Sequence, residues 1–391
     1  MAVVTVVGAG FAGVEAAWAL ANRGVAVRLY EMRPNRTTPA HETPWFAELV
    51  CSNSLKSKSP DSPGGLLKEE MKTLGSLILQ VAERHEVPGG QALAVDRGAF
   101  SAEITRLIEA HPLVEVVRRE WLPCADERTT ILATGPLSTD PVSEWLAQVT
   151  GRDRLYFYDA VSPTVEAGSI DRSIAFAQSR YDKGGDDYLN CPFTREQYVA
   201  FVNALVSAER APIHAFEAGG KRDGPTGSDM EERFIEKIRY FAGCTPIEAI
   251  AESGEMSLAF GNFKPVGLRD PATGKRPFAV LQLRPENRER TLYSMVACQN
   301  RLKWGEQARV FRMVPGLERA EFVRYGVIHR NNYLDAPRTL SPELEIRGQP
   351  GFFVSGQLTG VEGYVESAAM GIVTGLVVAR RALGLPPSAP P

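Results

Sequence analysis

Apolar and polar positions follow two different periods along this chain, and its first thirty residues use both. Val3–Val7 is an apolar run interrupted only by Thr5, the pattern of a strand buried on both faces. Gly8-Ala9-Gly10-Phe11-Ala12-Gly13 comes next, then an alanine-rich stretch with helical spacing. Gly24 precedes a second apolar run, residues 25–30, which closes at Glu31. This order predicts strand, tight glycine turn, helix and parallel strand. Two later segments look like parts of the same layer. Residues 129–136 read TTILATGP, a short buried strand ending at Gly135. Residues 351–364 read GFFVSGQLTGVEGY, again strand, glycine turn and helix, with Gly356 and Gly363 in the turn region and Tyr364 opening a helix that runs to about residue 383. In between, residues 194–209 and 229–242 show helical periodicity, and residues 278–283 and 291–296 alternate as strands. Glycines and prolines in 59–65 and 183–187 mark loops.

The opening segment has the form of the unit that binds the ADP half of a dinucleotide. Gly8 permits the turn, Gly10 lets the backbone approach a pyrophosphate, and Gly13 lets the helix pack closely on the strand. Ala9, Phe11 and Ala12 complete the motif. A pyrophosphate would sit at the helix N-terminus, where free N–H groups and the macrodipole favour anions. Glu31 stands where an acid accepts hydrogen bonds from ribose hydroxyls. One such motif suits NAD or FAD equally, whereas three related segments spread over the chain favour FAD. The expected architecture is α/β: a Rossmann-like FAD-binding domain with an inserted mixed α+β domain. The boundaries expected are 1–150 and 325–391 for the FAD domain, and 151–324 for the insertion.

Composition adds limits. With 391 residues the chain can build two domains with full cores. No apolar run approaches the ~20 residues of a membrane helix, and Glu15 interrupts the first apolar stretch, so neither a membrane partner nor a signal peptide is expected. Five cysteines without a CxxC argue against a disulfide framework or a structural zinc site, and the expected compartment is the cytoplasm. Net charge is −3, but it is segregated. Residues 264–338 hold 15 Lys and Arg against 7 Asp and Glu, while the remainder holds 29 against 40. That distribution fits a polyanion-binding surface, or equally a set of solvated Arg–Glu faces. It does not reveal an oligomeric state.

Two cysteines stand out. Cys244 lies just before Thr245-Pro246-Ile247-Glu248, which reads as a capping box with proline at the first helical position. A thiol at a helix N-terminus is expected to have a lowered pKa. Cys51 sits at a transition from apolar to polar, basic sequence, FAELVCSNSLKSK, where Lys56 or Lys58 could help to hold a thiolate. Cys124, Cys191 and Cys298 have less suggestive surroundings, although Asn190-Cys191-Pro192 stays in view. His214 precedes a polar Gly-Gly-Lys-Arg run, where its imidazole could stack on a planar ligand, move a proton, or simply face solvent.

These residues belong to longer blocks: GAGFAGVEAAWALANRGVAVRLYEMRP, FAELVCSNSLKS, ATGPLS, LYFYDAVSP, SRYDKGGDDYLNCPF, GCTPIEAIA, RYGVIHRNNYLDAP and GQLTGVEGYVESAAMG, spanning residues 8 to 371. In them the chain resembles the folate- and FAD-dependent tRNA (uracil-5-)-methyltransferases; FAELVCSNS and GCTPIE are the specific blocks. A related family of flavoproteins that modify the tRNA wobble uridine shares the dinucleotide motifs. The resemblance implies FAD, methylenetetrahydrofolate as carbon donor, NADPH or NADH as reductant, and a T-loop uridine of tRNA as target. It carries two functional cysteines onto Cys51 and Cys244, and leaves open which adds to uracil and which acts as base. His214 is then a candidate on the folate side. The competing reading is an FAD/NAD(P)H oxidoreductase of a small molecule or disulfide that never meets RNA.

Overall fold

The computed structural model describes residues 3–38, 40–123, 129–151, 155–182, 185–211 and 245–386. Strand β1 (Val3–Val7) leads through the glycine turn into helix α1 (Phe11–Ala21) and back along β2 (Ala26–Tyr30). Then come β3 (Ser54–Ser57), α2 (Pro63–Thr73), α3 (Leu77–Arg84), β4 (Glu86–Val87), β5 (Ala92–Val95) and α4 (Arg97–Glu109). β6 (Val114–Val117), β7 (Thr130–Leu132) and α5 (Asp140–Thr150) complete this part. The glycine- and proline-rich stretch at 59–65, expected as a loop, is partly helix. Ser62 caps α2 by accepting the Gly65 N–H at 3.1 Å, and Pro63 occupies the first helical position, where its missing N–H costs nothing.

The middle of the chain is built on an antiparallel sheet. β8 (Leu155–Ala160) leads into β9 (Thr164–Glu166), β10 (Phe176–Ala177), β11 (Leu189–Phe193) and α6 (Arg195–Ser207). Thr194 and Gln197 form a reciprocal capping box on α6. After α7 (Ile247–Glu252) and α8 (Ser257–Phe260) come β12 (Ala279–Pro285), β13 (Leu292–Met295), α9 (Trp304–Phe311), β14 (Phe322–Arg324) and β15 (Ile328–Tyr333). The sheet order is β10-β11-β12-β13-β9-β14. One face, including Leu189, Cys191, Phe193, Leu281 and Leu283, buries against α6 and its neighbours. The expected helix at 229–242 falls outside the described residues.

The chain then returns with α10 (Ala336–Thr339), β16 (Phe352–Val354) and α11 (Tyr364–Ala382). β16 and β7 join the first strands in one parallel sheet, ordered β16-β7-β1-β2-β6. Alternate residues feed two cores. Val4, Val6, Ile131 and Phe353 pack on the side of α1, α3, α4 and α11, while Val7, Leu132, Phe352 and Val354 pack on the side of α5. Both faces are therefore covered, which is why the central strands β1, β7 and β16 are mostly apolar at successive positions. The described chain divides into a first unit, 1–86, 92–156 and 331–391, and a second unit, 87–91 and 157–330.

Candidate active site

The glycine turn is fixed by two close approaches and opened by one gap. Gly8 has φ +94°, and a Cβ there would lie 2.6 Å from the Ala133 carbonyl oxygen. A Cβ on Gly13 would lie 1.8 Å from the Gly8 oxygen. Around Gly10, in contrast, nothing lies within 4 Å of where a Cβ would stand. Gly10 is the N-cap of α1 and brings no capping side chain. The first N–H groups of α1 therefore face open space without an intrahelical acceptor, the arrangement that receives a phosphate. Gly135, at φ +67°, is likewise open above its missing Cβ. These two gaps fit a dinucleotide running over the end of the parallel sheet, the location expected in an open α/β layer.

Glu31 is held differently from the expectation. Its carboxylate accepts the Ala9 N–H at 3.1 Å, the Arg33 N–H at 3.0 Å, Arg33 Nε at 2.9 Å and Arg33 Nη2 at 3.1 Å. Burial alone would raise its pKa, but the Arg33 guanidinium and these N–H donors hold it below the usual carboxylate range. Four donors match the roughly four lone-pair sites of a carboxylate. Glu31 thus braces the turn from within. Arg33, itself buried, continues to Glu48 at 2.9 Å.

α11 lies alongside α1 in the same direction. Cβ atoms on Gly371 and Gly375 would come within 2.3 Å and 2.9 Å of the Ala12 and Ala16 carbonyl oxygens, so small residues four apart on each helix allow the contact. Gly356, at φ +71°, approaches Ala12 in the same way. The two helix N-termini consequently meet, and their first residues, Phe11 and Tyr364, stack with centroids 4.7 Å apart. Two positive dipole ends converge there.

Cys51 is brought to this junction from more than three hundred residues away in sequence. Its N–H donates to Tyr364 Oη at 2.9 Å, and its Sγ lies 2.9 Å from the same oxygen. Because that hydroxyl already accepts the N–H, its own proton is free to donate to sulfur. Burial, then the adjacent Cys51, pushes the Tyr364 phenol well up, so it stays protonated and remains a donor. Lys56 and Lys58, expected to support the thiol, are in ion pairs with Glu366 and Glu86. The Lys56 ammonium and Glu366 carboxylate crowd the missing side chain of Gly363, whose φ is +110°. The Tyr364 hydroxyl had no local sequence signal as a partner for Cys51; Lys56 and Lys58 were simply nearer in the chain.

Cys244 and His214 lie outside the described residues. The helix after Cys244 differs from expectation: α7 has only six residues, Pro246 is its N-cap without a side-chain cap, and Glu248 turns instead to accept the Arg301 N–H at 2.8 Å. Cys191 is not a site. It and Cys298 are fully buried in the second unit, and burial pushes both thiols up, which keeps them neutral. Among the described residues, no helix is long and apolar enough to cross a membrane.

Residues 3–386 match the family described as Glucose inhibited division protein A. The methylenetetrahydrofolate--tRNA-(uracil-5-)-methyltransferase TrmFO of Desulforudis audaxviator is 53% identical over 384 residues, covering 98% of this chain and 83% of that protein. Its counterpart in Moorella thermoacetica is 51% identical over 388 residues, covering 99% and 84%. This chain belongs to the TrmFO family. As a TrmFO family member it is an enzyme. The fold agrees: GidA from Aquifex aeolicus in its form I crystal superposes with a TM-score of 0.69 at 16% identity, over 99% of this chain and 67% of that one. The form II crystal gives 0.68 at 15%, over 99% and 64%. The first unit of this TrmFO family member accordingly has a Rossmann-like FAD-binding fold.

Proposed function

We propose that this chain transfers a one-carbon unit from methylenetetrahydrofolate to C5 of a T-loop uridine in tRNA, forming 5-methyluridine, with FAD on the first unit and NADPH or NADH as reductant. The observation that carries the reading is Cys51 hydrogen-bonded to Tyr364 where two helix N-termini meet. The near-full-length identity to proteins named for this reaction supports it.

The residues suit FAD. The open space over Gly10 and the free N–H groups of α1 would take the pyrophosphate, with Ala9, Phe11, Ala12 and Gly13 forming its cradle. Gly135, open above its missing Cβ, would let the backbone approach the ring system, Gly356 and Gly363 would shape the turn before α11, and the α11 terminus would favour negative charge there. Bound there, the flavin would supply the reducing equivalents that complete the methyl group. The chain itself supplies nucleophile, base and position. Uracil C5 is a poor nucleophile. A thiolate, assigned to Cys244, adds to C6; the Sγ–C6 bond forms and the ring π electrons move to the C4 oxygen, making C5 nucleophilic. C5 then bonds the one-carbon unit as that carbon's bond to its carrier nitrogen breaks and the electron pair returns to the nitrogen; C5 loses its proton to a base and expels the cysteine as the Sγ–C6 bond breaks. Cys51, with Tyr364 donating to its sulfur, is the partner at the flavin side and the candidate base. His214 is the candidate on the folate side.

The test uses unmodified tRNA transcript, NADPH and methylenetetrahydrofolate labelled at its methylene carbon. Label is expected in 5-methyluridine, and is expected to vanish in Cys244→Ala and Cys51→Ala. Loss of label in Cys51→Ala alone would exchange the two cysteine roles. Continued NADPH oxidation with no label from the wild type would replace this reading by a flavin oxidoreductase without RNA.

A further inference from the structure

The second unit resolves the basic stretch at 264–338 into two kinds of cation. Lys303 pairs with Glu209 at 2.6 Å and Arg309 with Glu306 at 2.7 Å, while Arg284 and Arg301 are buried. Lys264, Arg269, Lys275 and Arg276 behave differently. All four are exposed, and among the described residues none has a carboxylate partner. They fall within thirteen residues that contain one acid, Asp270. That carboxylate is spent inside its own turn, accepting the Ala272 N–H at 2.9 Å and the Thr273 hydroxyl at 3.1 Å. The turn is closed by the Asp270 N–H donating to the Lys275 carbonyl at 2.9 Å. Phe263 and Leu268 are buried and anchor the segment, so its cations are presented from a fixed base.

Two large aromatic side chains flank this segment on the outside. Phe260 ends α8 and is 77% exposed; Tyr181 is 60% exposed. Tyr181 adopts φ +58° and ψ +23°, a left-handed conformation that is uncommon for a bulky residue. Its surroundings hold it there. Its N–H donates to the Gly267 carbonyl at 2.9 Å, and its ring lies where a side chain on Gly267, φ +82°, would meet it at 3.0 Å. The preceding Arg180 donates to the carbonyls of Lys264 at 2.5 Å and Val266 at 2.9 Å, and to Gln282 at 2.9 Å. Strain that fixes an aromatic ring in solvent beside cations that have no carboxylate partner among the described residues has no use in the core of this unit; outliers of this kind cluster at binding sites.

We infer that this face of the second unit, Tyr181, Phe260, Lys264, Arg269, Lys275 and Arg276, is an RNA-docking surface that holds the backbone and stacks bases away from the reacting nucleotide; it rests on the RNA substrate proposed above. The four cations meet phosphates, and the two rings offer π-faces to unstacked bases or exposed ribose. An acidic protein partner would use the cations but has no need of the rings.

The test measures binding of the full chain to unmodified tRNA transcript at several salt concentrations. Lys264→Ala with Arg269→Ala, and Lys275→Ala with Arg276→Ala, are each expected to weaken binding about tenfold or more at 0.1 M salt. Each pair is also expected to reduce the log–log salt slope by about 0.7–1 per cation removed. Tyr181→Ala and Phe260→Ala are expected to weaken binding at least about fivefold with the slope unchanged. KM for tRNA should rise in all variants while kcat is kept, and circular dichroism melting should match the wild type, since all six side chains are exposed. Unchanged affinity and slope in every variant, with a wild type that binds and methylates tRNA, would overturn this surface and leave the proposed reaction standing. A wild type that neither binds nor methylates tRNA would remove both. Loss of binding to phosphatidylglycerol vesicles in the cation variants, with tRNA binding intact, would assign the patch to a membrane and overturn it.

Discussion

Cys51 and Cys191 are the same residue type in opposite situations. Cys51 is partly exposed, at the meeting of two helix N-termini, with a phenol hydroxyl 2.9 Å from its sulfur. Cys191 sits in the middle of β11, facing the apolar side of an antiparallel sheet, with burial holding its thiol neutral. Sequence makes Cys51 the more suggestive of the two and keeps Cys191 in view; the fold places the first sulfur beside a hydroxyl and the second among apolar side chains. A thiol becomes useful where helix termini and a proton donor converge, and inert where it replaces a small hydrophobe.

The sharpest way to break this contrast is to remove each sulfur. Cys51→Ala should lower label transfer to tRNA by at least about a thousandfold, whereas Cys191→Ala should leave kcat within a factor of about two or three and cost stability, about 1–2 kcal/mol by denaturant titration. Equal losses of activity would end the distinction. Alkylation with iodoacetamide sharpens it: Cys51 should react in the native protein, and Cys191 and Cys298 only on opening of the fold, a difference of about a hundredfold or more in rate by mass mapping.

The glycine turn allows a matched pair. Gly13→Ala must displace the Gly8 carbonyl and should destabilise the first unit by more than about 3 kcal/mol. Gly10→Ala enters open space, so it should keep the melting temperature of the ligand-free chain and lose flavin instead. Finding both equally unstable would contradict the gap over Gly10.

A buried carboxylate tests the same principle through pH. Glu15 accepts the Ser76 hydroxyl and the Leu77 and Ile78 N–H groups at the start of α3, and burial pushes its pKa up to about 7. A raised carboxylate favours the folded state while protonated. Its contribution is full below pH 4.5 and is lost as pH rises through about 7, a change of about 3 kcal/mol at most. Glu15→Gln should flatten that part of the stability profile. The smallest effect expected is that of Tyr364→Phe. It keeps the stack on Phe11 and removes the hydroxyl, and should slow both transfer and Cys51 alkylation at fixed pH by about tenfold.

Local signals carried much of this fold. The run Val3–Val7, the glycine turn and the strand to Tyr30 were readable because each obeys a short-range rule of spacing or backbone geometry. The helix beginning after Thr194 was readable from its period for the same reason. Where competing partners come from elsewhere, local reading failed. Glu248 could have completed a capping box with Thr245, but the Arg301 N–H claims it. Glu31 keeps the position its motif predicts, and its carboxylate also accepts from Arg33 two residues on. The bond from Cys51 to Tyr364 spans 313 positions, and no periodicity encodes it. The helix from Tyr364 was legible as a helix, but only the contact with Ala12 and Ala16 shows what Gly371 and Gly375 pack against.

That last contact sets a timetable for making the protein. α1 leaves the ribosome early, but the helix that covers it is completed only at Ala382. At usual synthesis rates of ~5–20 residues per second, the first βαβ unit waits tens of seconds with its alanine face open. The second unit, apart from residues 87–91, is continuous from 157 to 330 and has all but that short piece of its chain after residue 156. Its sheet can therefore assemble while the first unit is still waiting for its last helix, so the nascent chain should reach a half-folded state whose exposed surface is the future cofactor unit, the form in which a chaperone would meet it.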